Sequence, residues 1–108
     1  MNDSRIADLL ERIPTGVFIN GEFTESSSGN RFDVRNPATG EVLITVADST
    51  PEDAARAMDL AAEAQWDWAV TAPRERAEIL RRAFELATGK YKDDLATVMT
   101  LEMGKPLD

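Results

Sequence analysis

At 108 residues, 43% hydrophobic and 30% charged, the chain has the composition of one small folded unit rather than of a disordered tail. Its 20 acidic residues outnumber 12 lysines and arginines, and the formal net charge of −8 disfavours a nucleic-acid partner, since phosphates attract basic surfaces. Cysteine and histidine are both absent, which excludes a disulfide framework, a thiolate zinc site, a cysteine nucleophile and an imidazole relay within these residues.

The opening, MNDSRIADLLERIPTG, carries acidic residues and lacks the apolar centre of a signal sequence. No window approaches the roughly 20 apolar residues that a bilayer-spanning helix needs. A cytoplasmic protein without a membrane or nucleic-acid partner is therefore expected. Ser4 to Arg12 reads as a short helix around Ile6, Leu9 and Leu10, interrupted by Pro14 and Gly16. Val17, Phe18 and Ile19 form an apolar strand nucleus. Asn20-Gly21 suits a type I′ turn, which returns Glu22-Phe23-Thr24 antiparallel. Ser26 to Asn30 is a polar connection with no reason to be buried. Phe32 and Val34 alternate with Asp33 and Arg35 as on a half-buried strand, Asn36 to Gly40 breaks it, and Val42 to Val46 has strong strand character.

At Thr50 the pattern becomes helical. Thr50 is placed to cap a helix whose first position is Pro51, and Asp53 lies three residues beyond the cap. Ala54, Ala55, Met58, Ala61, Ala62 and Gln65 mark a face of mainly small side chains, which permits close approach to a neighbour. Trp66, Trp68 and Val70 close the segment with a larger apolar cluster, expected to pack in a core or subunit contact rather than to stack a nucleotide. A second helix runs from about Pro73 to Thr88, with Ala77, Leu80, Ala83, Phe84 and Ala87 at helical spacing, a Glu78–Arg82 pair, and Gly89 as a left-handed terminator. A third, roughly Lys90 to Met103, has Tyr91, Leu95, Val98, Met99 and Glu102 along one side and ends at Gly104. Met99 and Met103 read as packing residues rather than metal ligands. Pro106 is placed for the first turn of a further helix, but the sequence stops at Asp108 before that helix could form, which reads as truncation of a longer polypeptide.

No catalytic constellation is present. Glu102-Met103-Gly104-Lys105-Pro106 lacks the upstream glycines and the Ser or Thr of a phosphate-binding loop, and no glycine-rich dinucleotide fingerprint follows a strand. Asn36-Pro37 is expected to shape a turn, and Glu102 and Lys105 to orient a helix end or domain contact. Residues with catalytic, cofactor-binding or metal-binding roles are expected to number none.

Two early stretches, Phe18-Ile19-Asn20-Gly21-Glu22-Phe23 and Asn36-Pro37-Ala38-Thr39-Gly40-Glu41, resemble the opening of the aldehyde dehydrogenase superfamily. Thr71 to Arg82 and Met99 to Leu107 resemble its succinate-semialdehyde dehydrogenase branch, and the similarity extends over nearly all residues after about Val17. The resemblance implies an α/β parent of which this segment is a short β-strand region followed by three main α-helices. It implies residues 1–16 as an amino-terminal arm, 17–49 as short strands and a hairpin, and 50–108 as a helical part packing on the nucleotide-binding domain. The family's catalytic cysteine, general-base glutamate, oxyanion-supporting asparagine and cofactor-contacting loop would lie beyond Asp108.

The full-length parent is accordingly expected to oxidise succinic semialdehyde to succinate with NAD or NADP. Its partners would be the remainder of the same polypeptide and further copies of itself in a homo-oligomer. The 108 residues alone are expected to be inactive and to bind no cofactor. The alternatives are an aldehyde dehydrogenase acting on another small aldehyde, or a non-catalytic structural or interaction module.

Overall fold

A computed structural model describes residues 3–107. In chain order these form α1 (Asp3–Arg12), β1 (Val17–Ile19), β2 (Glu22–Thr24), β3 (Arg31–Arg35), β4 (Val42–Ala47), α2 (Pro51–Val70), α3 (Pro73–Thr88) and α4 (Lys92–Met103). The strands make two separate antiparallel pairs, β1 with β2 and β3 with β4. Short strands followed by three main helices is the arrangement read from the sequence.

Local chemistry accounts for most boundaries. Asn20 and Gly21 take φ values of 55° and 77°, the left-handed pair that a two-residue hairpin turn requires, and Ile19 faces Glu22 across it. Phe18 lies opposite Phe23 with ring centroids 4.8 Å apart. In the second hairpin, Asn36 organises its own turn: its Oδ1 accepts from the Ala38 amide at 2.9 Å, and its carbonyl accepts from Gly40 at 2.7 Å. Phe32 pairs with Val46 and Val34 with Ile44, but Arg35 pairs with Val42, leaving Leu43 as a bulge residue.

The interior is small. Leu9 of α1, Ile19 of β1 and Leu101 of α4 are the buried apolar side chains among the described residues. Leu10, Ile13, Val34, Leu43, Ile44, Val46, Val98 and Leu101 surround a space of about 140 Å³ between α1, the second hairpin and α4. The arm ahead of β1 links the two hairpins: the Thr15 carbonyl accepts from the Ala47 amide at 2.8 Å, and its hydroxyl meets Arg31 Nη2 at 2.6 Å.

Helix α2 begins as its sequence dictates. Thr50 Oγ1 accepts from the Asp53 amide at 3.1 Å and Asp53 Oδ2 accepts from the Thr50 amide at 3.0 Å, a reciprocal capping box with Pro51 next in line. Replacing Thr50 with Ala should lower stability by about 1 kcal/mol. Chemical denaturation should register this as a lower midpoint with an unchanged slope.

Several expectations are corrected. Ser26 is buried at 6% exposure, because the 26–30 connection folds onto its own hydroxyls: Ser26 Oγ lies 3.0 Å from Ser28 Oγ, and Ser28 Oγ accepts from the Asn30 amide at 3.1 Å. Gly89 is not left-handed (φ −117°, ψ −97°). A Cβ there would stand 2.8 Å from the Glu85 carbonyl oxygen, so close approach rather than a positive φ explains this glycine. Helix α4 starts at Lys92 rather than Lys90, since the Tyr91 amide donates back to the Leu86 carbonyl in a wide turn. Glu78 pairs with Arg81 at 2.9 Å instead of with Arg82, and Arg81 also meets Glu85 one helical turn on. Gly104 is left-handed (φ 73°) and closes α4 through its amide to the Thr100 carbonyl at 2.9 Å. From Gly104 to Leu107 no helix follows, and Asp108 lies outside the described residues.

Candidate functional site

Two places on the chain gather side chains into an arrangement with a physical consequence. The first is a polar node at the start of α2. The Asp53 carboxylate, in a residue only 7% exposed, accepts the Ser27 amide at 3.3 and 3.0 Å as well as the Thr50 amide. Ser27 Oγ and Thr50 Oγ1 lie 2.8 Å apart beside it. The Thr50 and Ser27 amides, in that order of importance, hold the Asp53 carboxyl below the usual carboxylate range, and partial desolvation opposes them only in part. A depressed folded-state value means the node contributes stability above the unfolded-state value and loses it as pH falls through the folded one. The amides of Ser27 and Thr50 are the main partners of this carboxylate, and the hydroxyls of the same two residues add to them. The node therefore ties the 26–30 loop to the start of α2.

The second is the outward surface of the helices. Past Leu60, every residue of α2 is exposed. An open groove of about 910 Å³ runs along it, lined by Met58, Ala61, Ala62, Gln65, Trp68 and Thr71 among others. Trp66 is 78% exposed and Val70 84%, so neither packs in a core formed by these residues. Ile79, Leu80 and Phe84 expose a similar surface on α3. In water such a surface is costly. The small-residue face of α2 is present as read from the sequence, and it remains uncovered among the described residues.

Elsewhere on α3, Arg81 between Glu78 and Glu85 is held more firmly protonated, first by its hydrogen bond to Glu78 and then by the charge of Glu85. This is a solvated surface pair of the ordinary kind. Glu102 borders the small interior space beside Val98 and Leu101, while Lys105 is exposed beyond the helix end. Asn36-Pro37 shapes its turn, and Pro37 lies against the Gly104 cap, where a Cβ would meet Pro37 Cγ at 3.5 Å. No group of three or more His, Cys, Asp or Glu side chains able to hold a metal exists among the described residues. No helix among them is long and apolar enough to cross a membrane. Sequence reasoning missed the Asp53–Ser27 bond, for which only the polarity of both segments was a signal, and it omitted Leu101 from the inward side of α4.

Among the described residues the geometry is thus a polar node at the start of α2 and uncovered apolar faces on α2 and α3. Residues 23–108 match the model of the aldehyde dehydrogenase family, and the chain belongs to that family. Over 66 residues, 61% of this chain and 14% of the relative, it is 59% identical to a succinate-semialdehyde dehydrogenase of Paenarthrobacter nicotinovorans. The structure superposes on an NADP-dependent enzyme of E. coli with a TM-score of 0.84 and 38% identity, covering 99% of this chain and 21% of that one. Against betaine aldehyde dehydrogenase of Staphylococcus aureus, solved in complex with NAD+, the TM-score is 0.88 at 33% identity, with 96% and 21% covered. The chain thus spans about a fifth of the length of these solved structures. The structure matches the part of the fold with short strands and helices, as the resemblance implied.

Proposed function

We propose that the full-length polypeptide carrying this segment oxidises succinic semialdehyde to succinate, with NAD or NADP accepting the hydride. The supporting observation is the 59% identity to a succinate-semialdehyde dehydrogenase over 66 residues. In the net reaction aldehyde, water and oxidised cofactor become carboxylic acid, reduced cofactor and a proton. The described residues do not fit a dinucleotide: they offer no glycine-rich phosphate loop, and the charged node at Asp53 would repel a pyrophosphate. The nucleophile, the base and the cofactor contacts are therefore assigned to the remainder of the polypeptide.

The part given to residues 50–108 is to pack on the nucleotide-binding domain, with 17–49 as a hairpin region and 1–16 as an arm. The uncovered faces of α2 and α3 support the packing given to 50–108, since apolar surface of that extent favours a neighbour. A cytoplasmic homo-oligomer belongs to the same proposal. A second reading, oxidation of a different small aldehyde, draws on the superposition on betaine aldehyde dehydrogenase, with its TM-score of 0.88.

A matched series separates the two. Succinic semialdehyde, butyraldehyde and a longer neutral aldehyde should each be assayed on the full-length enzyme with NAD and with NADP. If the distal carboxylate is recognised, removing it should lower kcat/KM about tenfold or more, which corresponds to about 1.4 kcal/mol of transition-state discrimination. Equal or greater efficiency with butyraldehyde would overturn the substrate assignment.

A further inference from the structure

An ordinary capping box closes its bonds within one helix, but the Asp53 box does not. Its carboxylate also takes the amide of Ser27, 26 residues earlier in the chain. The loop it grasps is closed on itself, with the Gly29 amide donating to the Ser26 carbonyl at 3.0 Å and Ser26 Oγ meeting Ser28 Oγ and the Asn30 carbonyl. Only Asp53, Ala57 and Leu60 on α2 turn away from solvent. Among the described residues, the attachment of α2 to the strand region therefore lies near the beginning of the helix. An ionised carboxylate is acceptor-only, so both its oxygens can serve amides from two segments at once.

We propose that Asp53 is a latch that joins the Ser26–Asn30 loop to the start of α2, so that the two segments open and close as one unit, separately from the core around Leu101. Two segments that share one acceptor group open cooperatively, because losing that group releases bonds in both. Removing the carboxylate leaves both the Ser27 and Thr50 amides without their acceptor. Removing only the Thr50 hydroxyl leaves the loop still tied to the helix.

Amide hydrogen exchange on the full-length protein, native and substituted, reads this directly. Asp53→Ala should speed exchange in segments 25–30 and 50–54 together by about tenfold or more, with the segment around Leu101 unchanged. Thr50→Ala should affect 50–54 more than 25–30. Asp53→Asn keeps one acceptor oxygen but turns an NH2 toward a donor, and should fall between wild type and Asp53→Ala. It also serves if the alanine variant fails to fold. Glu52→Gln, an adjacent exposed acid outside the node, should change neither segment. The latch is overturned if 25–30 keeps wild-type protection in both Asp53 variants, if the two segments respond independently, or if Glu52→Gln reproduces the effect.

Discussion

The 108-residue chain, purified free of host dehydrogenases and supplied with succinic semialdehyde and either nicotinamide cofactor, should produce no reduced cofactor. The expected difference from the full-length enzyme is complete rather than graded. Thiolate attack on an aldehyde carbonyl, the step the family resemblance implies, requires a cysteine, and the chain contains none. Asp53 spends its oxygens on two backbone amides, and the remaining carboxylates include solvated surface partners such as Glu78 and Glu85 of Arg81. Effective catalysis needs a nucleophile, a base and oxyanion donors within reach of one substrate position. Absorbance of the reduced cofactor is the readout. Turnover that copurifies with the chain through successive columns would refute the expectation and move the chemistry onto residues described above.

Gly16→Ala should destabilise the full-length protein by about 2–3 kcal/mol, within the range for overpacked positions. The added Cβ would stand 2.6 Å from the Thr24 carbonyl oxygen and 3.0 Å from its nitrogen. These are backbone atoms of β2, so no side-chain rotation can relieve the contact. Relief requires the arm at Thr15–Gly16 to withdraw from the first hairpin. That movement would strain the Thr15 carbonyl bond to Ala47 and the Thr15 hydroxyl contact with Arg31, which tie the same arm to the second hairpin. Thermal unfolding should show the loss, and Gly29→Ala offers a contrast: a Cβ there meets nothing within 4 Å, although its φ of 72° still carries a backbone cost. A Gly16→Ala protein unfolding at the wild-type temperature would show that the close approach is not maintained in solution.

Much of the secondary structure was legible because its causes lie within a few residues. Asn20-Gly21 specified a turn with two positive φ angles, Thr50-Pro51 with Asp53 specified a helix start, and Gly104 specified a helix end. Gly89 shows where such reasoning stops. A glycine after a helical run is consistent with a left-handed cap, but its φ of −117° and the nearby Glu85 carbonyl answer to the path of the next turn. Likewise Glu78 had a partner available at either Arg81 or Arg82, and side-chain placement selected Arg81.

By itself the sequence determined the order of strands and helices, the capping chemistry and the absence of a thiol or imidazole, since these depend on residue identity and near neighbours. Its resemblance to a family, carried by motifs spread along the chain, anticipated the family membership. Tertiary structure alone decided which side of each element is covered. On α4 it buried Leu101 and left Leu95 and Met99 substantially exposed, although all three are apolar and helical spacing accommodates either choice. It also brought Ser27 to Asp53 and set Gly16 against Thr24. Burial and long-range hydrogen bonds arise from the meeting of surfaces distant in sequence, and periodicity within one segment contains no record of which surface will arrive.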